Sequence, residues 1–206
     1  MPESLDLLGR ERISFGGDPA FFCGEDVLVT GAAGTIGSAL VRALRHAGVA
    51  VCGVDRRSAN EVDVQGDLCD TTFLKMVLAG RSVVFHAAAL KHVDRAELDP
   101  DLAWRINRDL VREICHARQP ESRLLFVSTD KAAYPVGVMG RSKRDAEGIV
   151  QSNGEQGPAL VVRFPNILGS SDSVLPIWID QLASDQPLTL TDPEATRWFL
   201  TESEAI

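Results

Sequence analysis

The chain has 206 residues, 45% hydrophobic and 24% charged, which suits one folded domain with its own core. Twenty-one Lys and Arg against 29 Asp and Glu give a net charge of −8. That balance excludes a broad basic surface for nucleic acid or anionic lipid, while leaving room for a local basic pocket.

Residues 1–24 form a lead-in with no strong period, and residues 25–165 then alternate regularly. Val27-Leu28-Val29-Thr30 is a short apolar strand. It runs into Gly31-Ala32-Ala33-Gly34-Thr35-Ile36-Gly37, a GxxGxxG turn, and then into helical spacing over 38–47. In such a turn the first glycine permits the tight bend. The second lets a pyrophosphate reach the backbone, and the third packs helix on strand. The helix start adds unpaired N–H groups and the positive dipole end. The cradle is therefore assigned to Gly31, Ala33, Gly34, Thr35, Ile36 and Gly37.

A second strand over 49–54 ends at Asp55. A carboxylate there accepts from ribose hydroxyls and repels a 2′-phosphate, which favours NAD over NADP. Arg56 and Arg57 follow at once and would suit the 2′-phosphate instead. Gly66-Asp67-Leu68 follows a short strand, where Asp67 and Leu68 either meet the adenine or begin a helix with Asp67 as cap. A helix over 71–79 and a strand over 83–85 come next. His86-Ala87-Ala88-Ala89 then offers small residues at Ala87, Ala88 and Ala89, where backbone runs against the cofactor or packs closely on a helix.

A helix over 101–117, a strand over 124–127, a helix over 139–151 and a strand over 160–162 complete the alternation. Strands buried on both faces and separated by helices predict an α/β fold: a doubly wound, Rossmann-like parallel sheet. Residues 166–206 differ in texture, with more Ser, Asp and Pro and with Trp178 and Trp198. They read as a short, truncated substrate-binding segment over the carboxyl ends of the strands. Thr201 and Glu204 have capping-box spacing.

The four cysteines, Cys23, Cys52, Cys69 and Cys115, lack CxxC spacing, so neither a disulfide framework nor a metal site is expected. That pattern reads as a cytoplasmic protein. No apolar run reaches the ~18 residues of a membrane span, and residues 1–17 have no signal-peptide pattern.

The motif order is GxxGxxG, HAAALKHV (86–93), STDKAA (128–133), MGRSK (139–143), RFPNILGSSDSVLP (163–176) and TRWFLTESEAI (196–206). It resembles the extended short-chain dehydrogenase/reductases. More narrowly, it resembles the polysaccharide-biosynthesis branch of nucleotide-sugar 4,6-dehydratases acting on UDP-N-acetylglucosamine. Asp6-Leu7-Leu8-Gly9-Arg10 is similar to the segment before the catalytic domain of that branch. The chain departs from the family in Pro165, in the short Asp55–Asp67 connection and in stopping at Ile206. Family members continue with a portion that completes the nucleotide-sugar pocket.

The resemblance implies an NAD-dependent lyase with internal hydride recycling. Lys143 holds the nicotinamide ribose, and Thr129 hydrogen-bonds the sugar C4 oxygen. Asp130 is the general acid and Lys131 the base at C5. Met139 stands where a short-chain dehydrogenase has its tyrosine, and the single tyrosine, Tyr134, is nine residues before Lys143. Lys91 and Asn166 contact substrate, with Ser173 and Val174 beside them. Read without the resemblance, Asp130-Lys131 is a solvated pair, Lys143 an exposed helix lysine, Met139 a core residue and Asn166 a turn residue. A 4-epimerase or ketoreductase is the second reading, and a non-catalytic NAD-binding subunit the third. The implied partners are a nucleotide sugar and a second copy of the chain, packed through the helices over 101–117 and 139–151.

Overall fold

Six parallel strands in the order β3-β2-β1-β4-β5-β6 make the central sheet of the computed structural model. They are β1 (Asp26–Thr30), β2 (Ala50–Asp55), β3 (Val64–Gln65), β4 (Val83–His86), β5 (Arg123–Thr129) and β6 (Ala159–Phe164). The structure describes residues 9–13, 16–153, 157–171 and 173–206, so residues 6–8 of the lead-in motif and Asp172 lie outside it. The order reverses between β1 and β4. Side chains and cofactors in such sheets meet at that switch point, beyond the carboxyl ends of the strands.

Alternation along β1 sorts the core into two layers. Val27 and Val29 face α1 (Thr35–His46) with Val41 and Leu44, while Leu28 faces the opposite side. There it joins Leu74 and Leu78 of α2 (Thr71–Leu78), Ile114 of α5 (Leu110–Ala117) and Val150 of α6 (Val138–Ser152). The expectation of strands covered on both faces holds for β1 and β4 but not for β6. Among the described residues no helix covers the α1-side face there. Leu160, level with Leu125 in the register, is 66% exposed.

The link from β2 to β3 has no helix, unlike most parallel crossovers. It crosses close to β2 because Gly53 has no Cβ; one would collide with the Glu61 carbonyl. Asp63 ties it down, its Oδ2 accepting from Gly53 N at 2.7 Å and its carboxylate pairing with Arg45.

The predicted helix over 101–117 is present and carries a π turn. After a short α3 (Val93–Leu98), α4 (Pro100–Trp104) passes into a π turn, Arg105–Asp109, and then into α5. Beyond β6 come β7 (Asn166–Ile167), α7 (Val174–Ala183), β8 (Phe199–Leu200) and α8 (Glu202–Ala205). β7 and β8 pair in parallel as a separate two-stranded sheet. α8 starts with the capping box expected of Thr201 and Glu204.

Candidate active site

A cleft of about 670 Å³ opens over the carboxyl ends of the strands. One half is the glycine turn. Gly31 has φ +75, and a Cβ on it would lie 2.6 Å from Ala88 N. A Cβ on Gly37 would collide with the Gly31 carbonyl. These two glycines are therefore required by the fold itself. Gly34 differs: a Cβ there would meet only the Gly31 carbonyl, at 3.2 Å, and nothing else within 4 Å. Gly34 is also the N-cap of α1 and supplies no side-chain cap, so the first-turn N–H groups lack a side-chain acceptor. This open backbone cradle fits a dinucleotide pyrophosphate. Thr35 and Ile36 line it, whereas Ala33 does not.

Ala33 acts instead through its backbone, donating from N to Asp55 Oδ2 at 3.1 Å. Asp55 Oδ1 accepts from Arg57 N at 2.9 Å. The Asp55 carboxylate is thus fixed at the strand end by two backbone donors. The Arg57 guanidinium leans back onto the Ala33 carbonyl at 3.0 Å, while Arg56 lines the cleft. Asp67, Leu68, Ala87, Ala88 and Ala89 also line it. The capping alternative for Asp67 is corrected: Asp70 caps α2, accepting from Thr72 N and Phe73 N. Asp67 instead accepts from Cys69 N at 2.9 Å.

The other half gathers the residues expected to do chemistry. β5 ends at Thr129, and a 3-10 turn, Asp130–Ala132, carries the pair that follows. Asp130 Oδ1 accepts from Thr129 Oγ1 at 2.9 Å and from Lys131 Nζ at 3.0 Å. Lys131 Nζ also donates to Asn166 Oδ1 at 3.0 Å, bridging β5 to β7. Thr129, Lys131 and Asn166 line the cleft; Asp130 stands behind them. The pair is neither buried nor fully solvated, with side chains 32% and 37% exposed.

Lys143, one turn after Met139 on α6, is buried and not the exposed helix lysine of the alternative reading. Its Nζ donates to Val127 O at 2.6 Å and lies 4.1 Å from the centre of the Phe126 ring. Burial pushes its pKa down to about 7, against the upward pull of Glu147. Met139 is buried with Leu90, Ala96, Ala103 and Val138, and it too reaches the cleft. Lys91 donates to Ser171 O at 2.6 Å and Ser171 Oγ at 2.9 Å, tying the β4 end to the serine-rich loop. Ser173 lines the cleft, its Oγ buried and without a hydrogen-bond partner among the described residues. Val174 starts α7 outside the lining.

Three supports escaped sequence reasoning. Asn107, in the π turn, grips the backbone of Leu90 and donates to Ser142 Oγ on α6. Glu147 receives Ser128 Oγ at 2.5 Å and Arg163 Nε and Nη2 at 2.9 and 2.6 Å. Burial raises the Glu147 pKa, but the bonds from Arg163 and Ser128 outweigh it and hold the carboxyl below its ordinary value. His86 stacks on Phe126 at 5.8 Å and shares a 2.7 Å hydrogen bond with Thr30. Burial, and then the nearby Lys143, pushes it down to about 3, so it stays neutral. The helical spacing of Asn107 between Ala103 and Leu110, which puts a polar amide on an apolar face, was its one available signal. Nothing local marked the other two.

The sheet order, the glycine turn at the switch point and the lysine on the helix after β5 define a dinucleotide-binding domain of the short-chain dehydrogenase/reductase type. The chain belongs to the polysaccharide biosynthesis protein family, which matches residues 27–206. It is 35% identical to the capsular polysaccharide biosynthesis protein CapD of Staphylococcus aureus, over 98% of this chain and 38% of that protein. A UDP-glucose 4-epimerase of Rickettsia rickettsii is 26% identical over 90% of this chain and 61% of its own length. The chain therefore spans less than two thirds of either relative. MoeE5, solved in complex with UDP-glucose and NAD, superposes with a TM-score of 0.78 at 26% identity, over 86% of this chain and 68% of MoeE5. Among the described residues, no helix is long and apolar enough to cross a membrane.

Proposed function

We propose that this chain is the cofactor-binding and catalytic part of an NAD-dependent nucleotide-sugar 4,6-dehydratase, acting on a UDP-N-acetylhexosamine. One observation carries the reading. The position of the usual phenol holds the buried thioether of Met139, while Thr129, Lys131 and Lys143 converge on the same cleft. Proton chemistry must then come from the end of β5.

Bound at the glycine turn, NAD would accept a hydride and return it. Lys143 would hold its ribose, and the Asp55 carboxylate would accept from the adenosine ribose. Thr129 Oγ1 would hydrogen-bond the C4 oxygen. Lys131 Nζ, held between Asp130 and Asn166, would remove the C5 proton. Asp130 would take the C4 hydroxyl proton relayed through Thr129 Oγ1 and give it to the C6 hydroxyl, which departs as water. Lys131 would return its proton to C5 as the hydride reaches C6. Asp130 now faces Thr129 and Lys131, so a side-chain rotation accompanies its proton delivery. Lys91 and Ser173 lie where the nucleotide sugar would enter. The relatives' names also support a second reading, a 4-epimerase, which the missing phenol disfavours.

The test is incubation with UDP-N-acetylglucosamine and sub-stoichiometric NAD. A 4-keto-6-deoxy product, one water lighter and without accumulated NADH, supports the dehydratase. An isomer of unchanged mass supports the epimerase. Tight NAD binding with no uridine-nucleotide binding supports a non-catalytic subunit. An unchanged rate in Asp130→Asn and Lys131→Ala would remove the proposed mechanism.

A further inference from the structure

We propose that the lead-in residues 10–13 hold the substrate side of the cleft in register, with Arg10 and Glu204 acting as positioning residues for Asn166 and, through it, for Lys131. The inference rests on the proposed function for its catalytic consequence, though not for its structural one.

Glu204 lies on α8, and its side chain is fully covered. Each carboxylate oxygen accepts two hydrogen bonds. Oε1 takes Arg10 Nη1 at 2.7 Å and Ile13 N at 2.8 Å. Oε2 takes Arg10 Nη2 at 3.0 Å and Thr201 N at 2.8 Å. This fills the acceptor capacity of the carboxylate and joins segments more than 190 residues apart. The hydrogen bonds from Arg10, then those from Thr201 and Ile13, hold its pKa well below the carboxylate range. Arg10 Nη2 also donates to Phe199 O at 3.1 Å, gripping β8 directly.

β8 then carries the tie into the cleft. Phe199 and Leu200 stand opposite Asn166 and Ile167 in the ladder. Asn166 N and Nδ2 both donate to Trp198 O at 3.1 Å, and Leu168 N donates to Leu200 O at 2.8 Å. Asn166 Oδ1 then receives Lys131 Nζ. A two-residue ladder and a four-residue helix have little stability of their own. The approach to β8 is exposed over residues 182–198 and is tied at Thr189 to Trp178 and Gln181 of α7, not to β7 or β8. The lead-in, through Arg10 and Arg12, is therefore an anchor of this sheet beside the packing of α8 on α1 and the Arg42–Glu202 pair.

The test uses the full chain and four variants: Arg10→Ala, Arg10→Lys, Glu204→Gln and, as a control on a partly exposed ion pair remote from this sheet, Glu25→Gln. Amide exchange is read at Asn166 and Leu168 against Ser128 and Thr129 of β5. UDP-N-acetylglucosamine turnover and NAD affinity are measured alongside. Arg10→Ala and Glu204→Gln should speed exchange at Asn166 and Leu168 at least tenfold and lower kcat at least tenfold. β5 exchange and the NAD Kd should stay within twofold. Arg10→Lys should recover part of the loss, and the control should match the parent. Unchanged exchange at Asn166 in both variants overturns the proposal, as does an equal rise across β5. If the parent converts no nucleotide sugar, the functional reading fails, and the exchange data alone still decide the positioning.

Discussion

Asn107 holds both backbone polar atoms of Leu90: its Oδ1 accepts from Leu90 N at 2.8 Å, and its Nδ2 donates to Leu90 O at 3.1 Å. The same amide donates to Ser142 Oγ at 3.1 Å, and Ser142 donates to Met139 O. One side chain thus sets the spacing between the strand end behind the cofactor cradle and the helix that carries Lys143. The π turn makes this reach possible, since an extra residue per turn re-aims the side chains around it.

Asn107→Leu should therefore strand two buried backbone groups. Each costs about 1–3 kcal/mol, so a melting temperature lower by roughly 5–20 °C is expected. NAD affinity should fall with it, because Ala87, Ala88 and Ala89 lead into Leu90. Thermal melts and a fluorescence titration check both outcomes. A normal melt would show that water replaces the amide.

The glycines separate fold from binding. Gly31→Ala forces a side chain into positive φ and against Ala88 N, so it should lower the melting temperature or prevent soluble expression. Gly34→Ala should melt within a few degrees of the parent yet bind NAD at least tenfold more weakly. Its Cβ meets no protein backbone but the Gly31 carbonyl and would occupy the space of the pyrophosphate. Equal losses of stability and binding in the two variants would contradict this division.

Much of this half of the molecule was legible because its signals are local. The glycine turn, Asp55 and the small residues after His86 each follow a strand directly, so periodicity alone placed them. The other half depends on contacts that no window of sequence contains. Glu204 announces its capping box through Thr201, but its main partner is Arg10 at the far end of the chain. The π turn adds a residue within a helix that runs on, and Leu102, Ile106, Leu110 and Ile114 stand four apart, a spacing that an unbroken α-helix also shows, so the pattern over 101–117 could not reveal the turn. The open face of β6 was equally hidden, because Leu160-Val161-Val162 reads the same covered or bare.

On the proposed reading, Asp55 would set cofactor preference through charge. Its carboxylate is held by Ala33 N and Arg57 N, and the Arg57 Nε lies 3.7 Å from Oδ1. Asp55→Asn removes the charge that repels a 2′-phosphate and releases Arg57 to meet one. The ratio of NADP to NAD affinity should rise at least tenfold, measured by competition against NADH fluorescence. An unchanged ratio would place 2′ recognition elsewhere, with Arg56 the next candidate.

Lys143 predicts a pH dependence in the protein without cofactor. Its folded pKa is near 7, while an unfolded lysine titrates near 10.5. Between these values the unfolded chain binds a proton that the folded chain does not, so stability rises with pH across that window. The burial penalty is complete below pH 7 and relieved above about pH 10.5. Lys143→Met removes it. The variant's melting temperature relative to the parent should be highest near pH 6 and decline steadily toward pH 10. The lost bond to Val127 O subtracts a pH-independent amount. A difference flat across this range would mean that Lys143 is solvated in solution.

Met139 separates a pocket-shaping role from a chemical one. It packs on Leu90, Ala96, Ala103 and Val138 with one face and meets the cleft with the other. Leucine has nearly the same volume, and such swaps in cores usually cost under about 1.5 kcal/mol. Met139→Leu should therefore turn over UDP-N-acetylglucosamine within about threefold of the parent. Lys131→Met should lose at least a hundredfold, since it removes the amine between Asp130 and Asn166 while keeping the stem length. Both are read from initial rates of 4-keto product at saturating NAD. A Met139→Leu variant as inactive as Lys131→Met would give the thioether a part in the reaction, and proton transfer could no longer be assigned to the end of β5 alone.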